Sequence, residues 1–174
     1  MKTFDDVLAA ELKELFSAQR QWLLALPAMI RSSSRSKLAE HFRREARETK
    51  RHIERIEEIA EMLGITPRGR VHAPMKELVK AAHEILGDET DGVISDARLI
   101  IVAQRVAHLL ICGYGTARTL ARVLGHEAVE ALLATSLAEK EADDRSLTSL
   151  AIDLYTVAGP ADPVAPVLDE PFRP

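Results

Sequence analysis

Five polar side chains stand where helical periodicity places them at or beside the inside of a core: Gln19, Glu48, His52, Lys140 and Asp144. Each interrupts, near its middle, a stripe of apolar residues returning every three or four positions, the pattern of a helix with one buried face. Carboxylates and imidazoles projecting inward from facing helices are how bundle cores hold iron, manganese or zinc. The spacing suits such a site, but the residue types do not. Glu48 and Asp144 carry two negative charges against one positive on Lys140, and His52 can supply a second. The set comes close to neutrality without an ion, and charges buried in a dry core need such partners. We therefore expect Lys140 to sit where a cation would, against Glu48 or Asp144; the competing expectation is that it snorkels outward. A fallback reading is a single ion on Glu48, His52 and Asp144, with His41, His108 or Glu139 contributing.

Four long helices would have to bring these residues together. The first starts at Thr3, whose hydroxyl caps it while Asp6 completes a capping box, and runs to about Arg31 with the stripe Leu8, Leu12, Leu15, Gln19, Trp22, Leu26 and Met29. Pro27 comes late enough to bend it rather than end it. The serine-rich turn Ser32 to Ser36 supplies the next cap. The second helix spans about Lys37 to Leu63, with Leu38, Phe42, Glu45, Thr49, His52, Ile56, Ile59 and Leu63 inward and Glu48 beside that seam; Gly64 ends it in a left-handed conformation. Residues Ile65 to Ser95 read as a long crossover holding one short amphipathic helix.

The third long helix, Asp96 to Leu124, is the one whose stripe stays dry: Ile100, Ala103, Ala107, Leu110, Tyr114, Ala117, Ala121 and Leu124. At the level of the polar residues it offers only Ala107 and Leu110. After a turn at Gly125 and His126, the fourth runs from Glu127 to about Tyr155, with Val129, Leu133, Ser136, Lys140, Asp144, Leu147, Ala151 and Leu154 inward. The fold class expected is all-α: a four-helix bundle over residues 1–155, followed by a Pro-rich tail, 156–174. Five of the chain's eight prolines fall in that tail, and Val164, Val167, Leu168 and Phe172 could dock it on the bundle or on another chain.

With 174 residues, one domain with one sizeable core is expected. Aromatics make up 4%, which favours aliphatic helix packing over a β-rich fold. A net charge of −4 gives no general attraction to nucleic acid or anionic membranes. Nine basic residues between Arg31 and Arg55 alternate with Glu40, Glu45, Glu48 and Glu54, the pattern of a solvated face laced with ion pairs. Cys112 is alone, which excludes an internal disulfide and a thiolate-built zinc site; it reads as a small packed residue rather than a reactive thiol. No run of about 18 uninterrupted apolar residues suggests a membrane span, and the cytoplasm is the expected compartment. His72, His83 and His126 lie in connecting segments, and no Ser–His–Asp grouping, phosphate-binding glycine loop or metalloprotease motif is present.

The blocks AELKELFSAQRQWLLALPAM, ETKRHIERIEEIAEMLG, VHAPMKEL, AQRVAHLLICGYGTARTLA and LAEKEADDRSLTSLA, in this order, resemble the bacterial YciE/YciF-like proteins of the ferritin-like superfamily, which are associated with stress responses. The resemblance covers about Lys2 to Leu154. It implies a rubrerythrin-like bundle, commonly a homodimer, with a two-metal site of acidic residues. It places glutamates at the positions of Gln19, Ala107, Leu110 and Lys140, whereas Glu48 and Asp144 match. Four of six carboxylates are therefore missing. The reading that follows is a stress-associated, non-enzymatic protein kept for structure or partner binding, with no metal or other cofactor expected and a homodimer as its assembly. The alternatives are a residual oxidase or peroxidase using iron or another divalent metal, and a module that binds a protein partner through the tail.

Overall fold

The computed structural model describes residues 3–88 and 92–158, all of whose regular structure is helical. There are five helices: α1 (Phe4–Ser32), α2 (Ser36–Met62), α3 (Ala73–Gly87), α4 (Gly92–Val123) and α5 (Glu127–Ala158). Helix α5 continues to Ala158, past the end expected near Tyr155. The rest of the tail, with its four apolar residues, lies outside the described residues.

Caps account for the helix ends. Thr3 Oγ1 accepts the Asp6 amide and Asp6 Oδ2 accepts the Thr3 amide, which satisfies two of the free donors of α1. Pro27 is accommodated within α1. At α2 the expectation fails: Arg35 is the N-cap residue and its side chain makes no cap. The acceptor comes from α4 instead, because buried Asp96 takes the amides of Ser34 (2.9 Å) and Arg35 (3.0 Å) and the Ser34 hydroxyl (2.7 Å). Gly64 closes α2 at φ 64° and Gly125 closes α4 at φ 77°, where a side chain would be strained. In α3, His72 Nδ1 accepts the Met75 amide. The Gln21 amide and Ser17 hydroxyl of α1 bind the His72 backbone and tie the crossover down.

The helices form two hairpins, α1–α2 and α4–α5, which meet along α1–α4 and α2–α5, with α3 lying over α1 and α4. One core fills the space between, led by Trp22, Phe42 and Tyr114 with Leu12, Leu26, Met29, Ile56 and Met75. Seven of the eight residues foreseen as the inner stripe of α4 are buried, and Leu124 is partly so. By length and mean hydropathy α4 could cross a membrane, yet half of that apolar window is buried against its neighbours. Gly113 lets α1 and α4 approach closely: a Cβ there would lie 2.8 Å from Leu15 Cδ2.

Candidate functional site

Where α2 faces α5, the bundle centre holds a cluster of buried charges. Lys140 of α5 is 1% exposed, and its Nζ donates to Glu45 Oε1 at 3.1 Å and to Asp143 Oδ2 at 2.7 Å. Glu45 Oε1 also accepts the Trp22 indole N–H at 2.6 Å, so the largest side chain of α1 anchors the same carboxylate. His41 points its Nε2 at the other oxygens, 3.1 Å from Asp143 Oδ1 and 3.9 Å from Glu45 Oε2, without the alignment of a hydrogen bond. Its Nδ1 lies 2.9 Å from Arg44 Nη2, and Arg44 also donates to Ser146 Oγ. A guanidinium only donates, so Nδ1 keeps its lone pair and the ring proton sits on Nε2, toward the carboxylates.

The electrostatics follow from the geometry. Burial pulls Lys140 toward the neutral form, but the two carboxylates outweigh it and raise its pKa above the ordinary lysine range. Burial likewise opposes charge on Asp143, yet His41 and Lys140 beside it hold its carboxyl far below the usual carboxylate range. Glu45 is pushed up by burial, which here exceeds the pull of Lys140.

A second chain of contacts runs from the core to the surface on the same level. Gln19 Nε2 donates to Tyr114 Oη (2.9 Å) and lies 3.0 Å from His52 Nδ1. On the far side, His52 Nε2 is 2.7 Å from Glu139 Oε2, which also accepts Arg55 Nη1 at 2.9 Å. Arg55 binds Ser136 Oγ as well. With an amide donor on Nδ1 and a carboxylate on Nε2, His52 is the neutral Nε2–H tautomer. Burial, helped by nearby Lys140, lowers its pKa from 6.5 to about 4. Glu139 is lowered despite burial, by its bonds to Arg55 and His52. Burial raises the Tyr114 phenol well above its normal value.

Of the residues foreseen, Gln19, His52 and Lys140 are buried on this level with Ala107 and Leu110. Glu48 and Asp144 are not partners of Lys140. Glu48 turns to the flank of α2, 3.9 Å from Arg51. Asp144 faces α4, with its Oδ1 3.4 Å from exposed His108. The reason is angular: Glu45 is in phase with Thr49 and His52, while Glu48 is three residues further on and rotated off the stripe. On α5 the next inward step after Lys140 is three residues, not four, which selects Asp143. The fallback trio Glu48, His52 and Asp144 is correspondingly split among different partners. Among the described residues, the His, Asp and Glu atoms gathered within 4.8 Å of one another are those of His41, Glu45 and Asp143. Two signals could have found this: Trp22 in an inward stripe needs an acceptor for its N–H, and His41 and Glu45 are spaced i, i+4. Cys112, expected to be packed, is exposed.

Comparison with known proteins places the chain in a family. Residues 3–157 match the family model described as Domain of unknown function (DUF892). Protein YciF of Escherichia coli (strain K12) is 36% identical over 154 residues, which are 88% of this chain and 93% of that protein. The crystal structure of the E. coli stress protein YciF superposes with a TM-score of 0.87 at 35% identity, over 90% of this chain and 99% of that one. YcfI of Rhodopseudomonas palustris, proposed to be a structural protein, gives 0.82 at 32% identity, over 86% and 95%. A protein of Xanthomonas campestris pv. campestris shares the fold at 0.70 with 16% identity, over 90% and 97%. The chain belongs to the DUF892 family and is of the YciF type.

Proposed function

We propose that this protein is a non-catalytic, stress-associated helical bundle of the ferritin-like kind, kept for structure or partner binding, in which an internal ion cluster replaces a two-metal centre. The observation that carries the reading is Lys140, whose Nζ spans Glu45 and Asp143 from inside the core. At the positions where the family resemblance places acids, Ala107 and Leu110 offer no ligand atom, Gln19 is bonded to His52 and Tyr114, and Lys140 brings a cation. These residues do not fit two metal ions, which need bridging carboxylates.

The nearby trio His41, Glu45 and Asp143 is a poor substitute for a metal site. A metal-binding imidazole normally donates its second N–H to a carboxylate, carbonyl or water, whereas Nδ1 of His41 meets a guanidinium. Lys140 already sets its charge between the two carboxylates, and Arg44 holds a second positive charge against the far side of His41, so a divalent ion would have to enter beside both. The E. coli relative is described as a stress protein and the R. palustris relative as a proposed structural protein, which agrees with a stress-associated structural role.

Elemental analysis of protein purified from cells supplied with iron, manganese and zinc tests the reading. Well short of one ion per chain is expected. Two irons per chain would restore the oxidase or peroxidase alternative, and one ion lost on His41→Ala would make the trio a metal site; either overturns the proposal.

A further inference from the structure

At the end of the bundle where α2 and α4 begin and α5 ends, a cleft of about 750 Å³ opens between the three helices. Leu38, Ile100, Leu150 and Leu154 contribute apolar walls, Arg35 and Lys37 stand at its rim, and Thr156 and Val157 form its lip. The first turn of α2, capped by Asp96, borders it. We propose that residues 159–174 of this chain are the occupant of this cleft, lying in it as an extended polyproline strap.

Position, pattern and charge argue for this occupant. The segment leaves α5 at the lip itself, directly after Val157 and Ala158. Its prolines fall at 160, 163 and 166, every third residue, which is the repeat of a polyproline helix. That repeat puts the three prolines on one edge and Ala161, Val164 and Val167 on the next, an apolar edge of a kind that fits apolar walls. Asp96 already takes the amides at the start of α2 and Asp153 pairs with Lys37, so the acidic groups of the segment, Asp162, Asp169 and Glu170, are offered to the Arg35 guanidinium at the rim. At about 3.1 Å per residue the sixteen residues reach about 50 Å, more than a cleft of this size needs. Two costs of binding are small: the segment is tethered at the site, and proline restricts its freedom beforehand. The family match stops at residue 157, so the strap belongs to this chain's own extension rather than to the shared bundle.

Cross-linking in the full chain tests it. With the native thiol removed by Cys112→Ser, Leu150→Cys paired with Val164→Cys should form an intramolecular disulfide under mild oxidation. A control pairing Thr116→Cys, exposed and far along α4, with Val164→Cys should not. A disulfide between two chains would give the cleft to a second copy, and equal cross-linking of both pairs, or none, would remove the strap; each overturns the proposal. Because Leu150→Cys touches the bundle, a second variant alters only the segment. In Val164→Asp/Val167→Asp, hydrogen exchange at the Ser36–Leu38 amides should quicken at least about tenfold relative to the native chain. Unchanged exchange there would overturn the proposal independently.

Discussion

Lys140 is worth most to this protein as a charge that cannot leave. Lys140→Met strands two carboxylates in the core, and loss of one partner of a buried ion pair costs about 3–5 kcal/mol. Denaturant unfolding at neutral pH with a chelator present should show that loss. Lys140→Glu, which gathers three acids, should lose more. Adding Glu45→Gln and Asp143→Asn to Lys140→Met should recover most of the stability; no recovery would mean that Lys140 acts by packing alone. His52 gives a pH signature. It titrates near 4 when folded against 6.5 when exposed, so between these values the unfolded chain binds more protons. The contribution of His52 is whole above 6.5 and declines as pH falls toward 4, by about 3 kcal/mol across the window. His52→Gln should flatten the stability profile there, and an unaltered slope would refute the assignment. The inward positions of Gln19, His52 and Lys140 were legible from periodicity, because each sits in phase with apolar neighbours. The partners of Lys140 were not: a stripe drawn in steps of three or four fixes a side chain's heading only to within half a turn's neighbour, enough to exchange Asp144 for Asp143.

At the scale of the elements, local sequence foretold ends that are closed locally. Thr3 with Asp6, Gly64 and Gly125 act on their own helices, and each was readable. The α2 cap was not, since its acceptor, Asp96, comes from 61 and 62 residues away along the chain and is brought there by α4. Asp96→Ala should therefore cost about 2–4 kcal/mol, more than a surface cap, because three donors lose a charged acceptor at once. Amide exchange in the first turn of α2 should rise with it, while the other end of α2 stays protected. Gly113→Ala tests the α1–α4 approach. Its methyl would press on Leu15, and overpacking of this kind costs about 1–3 kcal/mol. Unchanged thermal stability would mean that the two helices have slack between them.

On the scale of the whole molecule, two helical hairpins are held face to face, and the assembly expected beyond that is a pair of such molecules. Exposed Ile94 and Ile101 on α4 and Ile152 and Tyr155 on α5 lie on one hairpin. The Gln104–Thr148 bond sets that hairpin's register, which brings these positions to the same end. Light scattering of the eluted protein should give the mass of a dimer, and Ile101→Asp should shift it toward the monomer. The ion cluster has a mechanical meaning in this frame. Glu45 and His41 belong to one hairpin and Lys140 and Asp143 to the other, so the cluster is a rivet through the seam rather than a brace within either half. Acid that loads a proton onto Glu45 would loosen that rivet first, and the molecule would come apart lengthwise, into two still-wound halves, before either half unwound.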